Sequence, residues 1–122
     1  MQKSPTVLII EDDVETIMLM KERLEREGFV CFCALEGKEG LELAKQKQPN
    51  LILLDWSLPD IDGLKVYAKL RFEETTKAIP VIFVTGRTQM QDIEKALSLG
   101  INDYICKPFM FEELLKKIKR FL

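Results

Sequence analysis

The 122-residue sequence contains no histidine. That absence removes Ser-His-Asp and Cys-His nucleophilic catalysis, His-ligated zinc and a phosphohistidine of the chain's own. Cysteine is scarce as well. Cys31, Cys33 and Cys106 show no metal-ligand spacing, and their odd number among apolar neighbours suits free thiols in a reducing cytoplasm. No apolar run approaches the roughly 20 residues of a membrane span. The opening MQKSPTVLII leads straight into acids and lacks the form of a signal peptide. A net charge of −2 argues against nucleic-acid binding as the main task. Lys116, Lys117, Lys119 and Arg120 do crowd the end, but they alternate with Leu115, Ile118 and Phe121 and read as the wet face of one helix.

What is present is ordinary in amount. An apolar share of 47% and a charged share of 31% fit a globular chain able to bury a core without metal or disulfide staples. Residues 1–122 read as one domain, with no linker, no low-complexity tract and no output domain. Short apolar runs predict strands at Thr6–Ile10, Phe29–Ala34, Leu51–Leu54, Val81–Thr85 and Asp103–Cys106. Helical patterns fall between and after them, over Val14–Glu27, Glu36–Gln48, Gly63–Phe72, Thr88–Leu99 and Phe111–Leu122. Glu73–Ile79 reads as a polar connection, and Gly86-Arg87 as a short turn.

The helical faces carry expectations of their own. The first helix should turn Ile17, Met20 and Leu24 inward, leaving Leu19 on the far side. The second pairs Ala44 with either Leu41 or Gln48, and Gly37 and Gly40 should weaken its first turn. The fourth should bury Met90, Ile93 and Leu97, and the last Phe111, Leu114, Leu115 and Ile118. Five β-α units predict an α/β fold, a parallel sheet with helices on both faces and right-handed crossovers. Strands 1, 3 and 4 are the most uniformly apolar and belong in the middle. That favours the flavodoxin-like doubly wound order 2-1-3-4-5, with its ligand site at the carboxyl ends of strands 1 and 3.

Those strand ends gather the chain's odd polar residues. LILLDWSLPDIDG (Leu51–Gly63) runs a greasy strand into Asp55, while strand 1 delivers Glu11 and Asp12, strand 4 Thr85 and strand 5 Lys107. Converging carboxylates repel unless a cation sits among them. Oxygen ligands with room for water suit Mg²⁺ or Mn²⁺. A lysine and a hydroxyl facing that metal suit a tetrahedral dianion, and together the set suffices for phosphoryl transfer onto Asp55. Singly each member is weak: Glu-Asp-Asp is more often a helix cap, Thr85 a strand end and Lys107-Pro108 a turn. Their joint occurrence at four strand ends favours the chemistry.

The chain resembles the receiver domain of two-component response regulators, of the chemotaxis-regulator type. The likeness covers essentially every residue and rests on VLIIEDD (Val7–Asp13), LLDWSLPDIDG (Leu53–Gly63), VTG (Val84–Gly86) and DYICKPF (Asp103–Phe109). The resemblance implies that Asp55 accepts a phosphoryl group from the phosphohistidine of a partner kinase or phosphotransfer protein. It assigns the metal to Glu11, Asp12, Asp55 and the Ser57 backbone carbonyl, and the phosphoryl oxygens to Lys107 and Thr85. It also implies a cis bond before Pro108, and an inward rotation of Tyr104 that remodels the face of helix 4, strand 5 and helix 5. Arg87 would reach over the phosphoryl group and exclude water, and Leu19 would touch the kinase. Two registers stay open for the acidic pair, Glu11–Asp12 or Asp12–Asp13. The first is preferred because the apolar run ends at Ile10 and the family's pair follows it directly. Gly86, where Ala is commoner, and Cys106 depart from the usual pattern.

The same resemblance implies a cytoplasmic regulatory domain that promotes only its own phosphorylation and dephosphorylation. Its partners would be the kinase and a downstream target or fused output domain, with no membrane or direct nucleic-acid contact. A phosphorylation-dependent homodimer is compatible with it. Three readings compete. A haloacid-dehalogenase-type aspartyl-phosphate phosphatase needs an acid two residues beyond its nucleophile, where Ser57 stands. An FMN binder wants a Gly/Ser/Thr-rich loop where Glu11-Asp12-Asp13 would repel the phosphate. An interaction domain that works without phosphorylation has no need of all five side chains.

Overall fold

The structure, a computed structural model, describes residues 4–86 and 89–122. Five strands and five helices alternate: β1 (Thr6–Ile10), α1 (Val14–Arg26), β2 (Val30–Ala34), α2 (Gly37–Lys47), β3 (Leu51–Leu54), α3 (Gly63–Phe72), β4 (Val81–Thr85), α4 (Met90–Ser98), β5 (Asp103–Cys106) and α5 (Phe111–Lys119). The strands form one parallel sheet in the order β2-β1-β3-β4-β5. No described helix is long and apolar enough to cross a membrane.

The unbroken apolar strands are explained by cover on both faces. Leu8, Ile10, Ile52, Leu54 and Phe83 pack with Ala44, Val66, Leu70 and Ala96 from α2, α3 and α4. Val7, Ile9, Leu51, Leu53 and Ile82 point the other way, onto Ile17, Leu24, Leu114 and Ile118 from α1 and α5. Each of the Val, Leu, Ile and Phe side chains among them contributes roughly 1.5–3 kcal/mol on full burial.

Register then places the strand ends. Ile10 pairs with Leu54, so Glu11 and Asp55 leave the ladder side by side, and the Asp55 amide donates to the Ile10 carbonyl at 3.0 Å. Thr85 pairs with Cys106, and the next amide, Lys107, donates to the Thr85 carbonyl at 2.8 Å.

Three expectations need correction. Met90 and Leu97 of α4 do not face inward but are 66% and 51% exposed, while Ala96 is fully buried and Ile93 partly so. A helix near the edge of the sheet buries only a narrow stripe, and close approach there selects the small side chain. Gly37 and Gly40 are not weak points. They are buried in α2, and a Cβ on Gly40 would lie 2.5 Å from Ile10 Cδ1, so glycine is what lets α2 lie against β1. The connection 73–79 is not merely polar: Thr76 is buried in it, its hydroxyl donating to the Leu70 carbonyl at 2.7 Å. Of the two pairings offered for α2, Leu41 joins Ala44 against the core, whereas Gln48 is exposed and ends the helix at φ 48°.

Candidate functional site

Each member of the site is delivered by a strand end. Glu11, Asp12 and Asp55 each offer a carboxylate oxygen, and these oxygens all lie within 4.8 Å of one another. Glu11 and Asp55 are only 3% and 7% exposed, whereas Asp12 is open to solvent. Lys107 Nζ donates to Asp55 Oδ2 at 3.1 Å and to Glu11 Oε1. The Ser57 amide donates to Asp55 Oδ1 at 3.2 Å. Thr85, 1% exposed, closes β4 beside them. The Lys107-Pro108 bond is cis.

Asp13 takes a different part. Its carboxylate accepts the Glu15 amide at 3.1 Å and the Thr16 hydroxyl at 2.8 Å, capping α1. The Thr16 hydroxyl and the Glu15 amide hold the Asp13 carboxyl below the usual carboxylate range, against the opposing effect of burial. Of the two registers, the structure therefore groups Glu11 with Asp12 and gives Asp13 to the helix.

The electrostatics leave this site under-neutralised. At an effective dielectric constant of about 20, unit like charges at that separation repel by about 3.5 kcal/mol per pair. Burial first, and then neighbouring Asp55, pushes the Glu11 carboxyl up to about 7 despite the hydrogen bond from Lys107. Burial disfavours the Lys107 ammonium, but its bond to Glu11 and the charge of Asp55 outweigh that and raise its pKa. The Lys107 ammonium thus bonds to two of the three acids, Glu11 and Asp55. A hard divalent cation, taking oxygens from three carboxylates on a partly open rim, fits that donor set. Charge rather than volume marks the place. A groove of ≈ 580 Å³ lies elsewhere, between α2 and α3, lined by Leu41, Leu70 and Phe72 among others.

The loop behind Asp55 is built to close tolerance. The Gly63 amide donates to the Trp56 carbonyl at 2.7 Å, and a Cβ on Gly63 would sit 2.5 Å from the Asp55 carbonyl oxygen. Asp62 caps α3 through the Leu64 amide at 2.8 Å. Trp56, not singled out in the sequence, is buried with its ring 5.9 Å from Phe83. Tyr104 already stands inward, 9% exposed, its ring centroid 6.2 Å from that of Phe83. Leu19 is 64% exposed and lines a ≈ 280 Å³ groove with Thr16, Met20, Arg23, Phe109 and Phe111. Arg87 lies outside the described residues.

The sequence assigns Asp60, with Asp62, to capping and turning, and the structure adds which helix Asp60 caps. Its carboxylate reaches across to α2, accepting the Gly37 amide at 2.7 Å and the Lys38 amide at 2.9 Å. Glu36, at the N-cap of α2, makes no side-chain cap bond, and Asp60 takes that place.

Comparison with known proteins agrees with this geometry. The response regulator receiver domain family matches residues 7–119. The chain is 41% identical over 118 residues to the DNA-binding dual master transcriptional regulator RpaA of Synechocystis, covering 97% of this chain and 49% of that protein. It is 32% identical to the phosphate regulon transcriptional regulatory protein PhoB of Rhizobium meliloti, again over 97% of this chain, and 52% of that one. The chain thus spans about half the length of these curated relatives. Among solved structures, a CheY-like receiver domain protein from Methanospirillum hungatei superposes with a TM-score of 0.89 at 32% identity, covering 96% of this chain and 92% of that one. The receiver domain of a Pseudomonas aeruginosa sensor histidine kinase, with a magnesium ion coordinated in its active site cleft, gives 0.89 at 27% identity over 97% of both chains. The five-stranded parallel architecture, the acidic strand ends and the family match lead to one conclusion: the chain belongs to the response regulator receiver domain family.

Proposed function

We propose that this receiver domain takes its phosphoryl group on Asp55, in a Mg²⁺-dependent transfer from a partner's phosphohistidine. The observation that supports it most is the placement of Asp55, nearly buried at the end of β3, between two further carboxylates and the ammonium of Lys107. Glu11, Asp12, Asp55 and the Ser57 backbone carbonyl would hold the metal, and Mn²⁺ would serve in place of Mg²⁺. When bound, the metal neutralises the acids and draws charge from the phosphoryl oxygens.

In the transfer an Asp55 carboxylate oxygen forms a bond to phosphorus as the bond from phosphorus to the donor's imidazole nitrogen breaks, and that nitrogen keeps the electron pair. Lys107 balances the charge on the phosphoryl oxygens, and Thr85 donates its hydroxyl to one of them. Tyr104, on β5 beside β4, couples Thr85 to the face of α4, β5 and α5. The switch is a shift in population between this inward Tyr104 and an outward one. Arg87 shields the acyl phosphate from water. Leu19 and its groove between α1 and the start of α5 form the kinase contact. The chain catalyses no reaction on an independent substrate; its effect passes to a downstream protein or a fused output segment, as in transcriptional regulators of this family, in the cytoplasm. A phosphatase of the haloacid-dehalogenase type is not favoured, because Ser57 stands where its second acid belongs.

Incubation with acetyl phosphate and Mg²⁺, followed by intact mass, tests the assignment. The native chain should gain one phosphoryl group and Asp55→Asn none. Gain on both, or on neither, would overturn it.

A further inference from the structure

We propose that Asp60 is a positioning residue, tying the phosphoacceptor loop to α2 so that Asp55 and Ser57 stay in register with Glu11 and Asp12. The proposal rests on the receiver reading above. The loop is held at its base by the Asp55 amide on the Ile10 carbonyl, at 3.0 Å, and at its neck by the Gly63 amide on the Trp56 carbonyl. Asp60 supplies the third anchor, at the tip, with one oxygen on each of the first two α2 amides. A carboxylate is well suited to those free amides and to the positive end of a helix. The two amides hold the Asp60 carboxyl below its ordinary range although burial works the other way.

What Asp60 grips is itself fixed to the other half of the site. Gly40 of α2 lies against Ile10, the residue before Glu11, with no room for a Cβ. Gly37 is packed equally hard, a Cβ there lying 2.9 Å from Val66 Cγ2 and 3.3 Å from Asp60 Oδ1. The Glu11 amide donates to the Ala34 carbonyl, 3.0 Å away, on the strand that leads into α2. The helix therefore bridges the backbone that carries Glu11 and Asp12 to the loop that carries Ser57. Oxygens on separate segments bind a cation well only when they are held together in advance, and groups that orient ligands strongly affect affinity. Releasing the tip should loosen the ligand set while the sheet and its cover stay intact.

The test titrates native protein, Asp60→Ala, Asp60→Asn and Glu39→Ala with MgCl₂, following emission from Trp56, the chain's one tryptophan and the neighbour of Asp55. Glu39 is a control, because its carboxylate also anchors α2, on the Leu35 amide at 3.0 Å, but touches nothing in the loop. Asp60→Ala should weaken Mg²⁺ binding about tenfold. It should slow phosphorylation by acetyl phosphate at limiting Mg²⁺ and recover at saturating Mg²⁺. Asp60→Asn, which keeps an accepting oxygen, should restore most of the affinity. Glu39→Ala should lower the thermal midpoint and leave the titration native. A native titration for Asp60→Ala, or equal weakening by Glu39→Ala, would overturn the proposal. A native chain that neither responds to Mg²⁺ nor gains a phosphoryl group would overturn the receiver reading itself, and this proposal with it.

Discussion

The two rims of the sheet are built on opposite terms. At the amino ends of the strands, donors and acceptors match. The Arg71 guanidinium lies 4.8 Å over the Tyr67 ring and donates to the Tyr67 hydroxyl at 2.8 Å, Asn102 Oδ1 at 3.0 Å and the carbonyls of Ile79 and Lys77. Asn102 Oδ1 also accepts the Val81 amide at 2.8 Å, and Asn50 Oδ1 accepts the Thr6 amide at the same distance. At the carboxyl ends, Glu11, Asp12 and Asp55 crowd together, Lys107 donates to Glu11 and Asp55, and burial pushes the Glu11 carboxyl up to about 7. The first rim spends its polar groups on one another and adds stability. The second keeps an unbalanced charge and so retains the capacity to bind.

If the rims divide in this way, a change at one should leave the other's property alone. Arg71→Ala strips hydrogen-bond donors from two backbone carbonyls and Asn102, and should cost about 2 kcal/mol in urea unfolding. Phosphorylation of the folded protein by acetyl phosphate should be unchanged; parallel loss of both would break the division.

A smaller effect tests the charged rim. Glu11 has its folded pKa raised from 4.5 to about 7. Between those values the unfolded chain has already released this proton and the folded chain still holds it. Metal-free stability should therefore fall as pH rises through that window. With saturating Mg²⁺ the trend should weaken or reverse, since the cation binds the ionised form. Urea midpoints at pH 5 and pH 7.5, in chelator and in Mg²⁺, decide it, and a flat metal-free profile would mean that Glu11 is already balanced.

The smallest change sharpens the boundary between the rims' two kinds of acid. Asp13→Ala removes the α1 cap and should lower the thermal midpoint by a few degrees while sparing Mg²⁺ binding. Asp12→Ala should do the reverse. Loss of Mg²⁺ binding in Asp13→Ala would shift the metal register by one residue.

The elements legible in the sequence were those with a strong local cause. Ile17, Met20 and Leu24 follow one helical stripe and are buried together. The runs at β3 and β4, apolar throughout except for the closing Thr85, announced a sheet covered on both sides. Glu11, Asp55, Thr85 and Lys107 could be gathered in advance because a parallel sheet brings carboxyl ends to one rim. The α4 face was misjudged because Met90 and Leu97 satisfy the helical period as well as Ala96 does, and period alone cannot weigh distance to the sheet. Gly37 and Gly40 were misjudged for a related reason. Propensity counts the conformational cost of glycine in a helix but not the closeness of approach it allows.

Periodicity, turn residues and the acids that follow greasy strands determined, from the chain alone, the α/β architecture and which strand ends gather the acids, the hydroxyl and the lysine. Those signals are local, and a parallel sheet converts local order into shared position. The sequence preferred Glu11 with Asp12 but left the other register open; the tertiary structure turns the Asp13 carboxylate onto Glu15 and Thr16 and brings an Asp12 oxygen near those of Glu11 and Asp55. Only that structure revealed that Asp60 serves a helix 23 residues away. A hydrogen bond across that separation has no sequence period. It exists because Gly37, at the start of α2, lets the helix lie close against Asp60 and Ile61 of the β3–α3 loop.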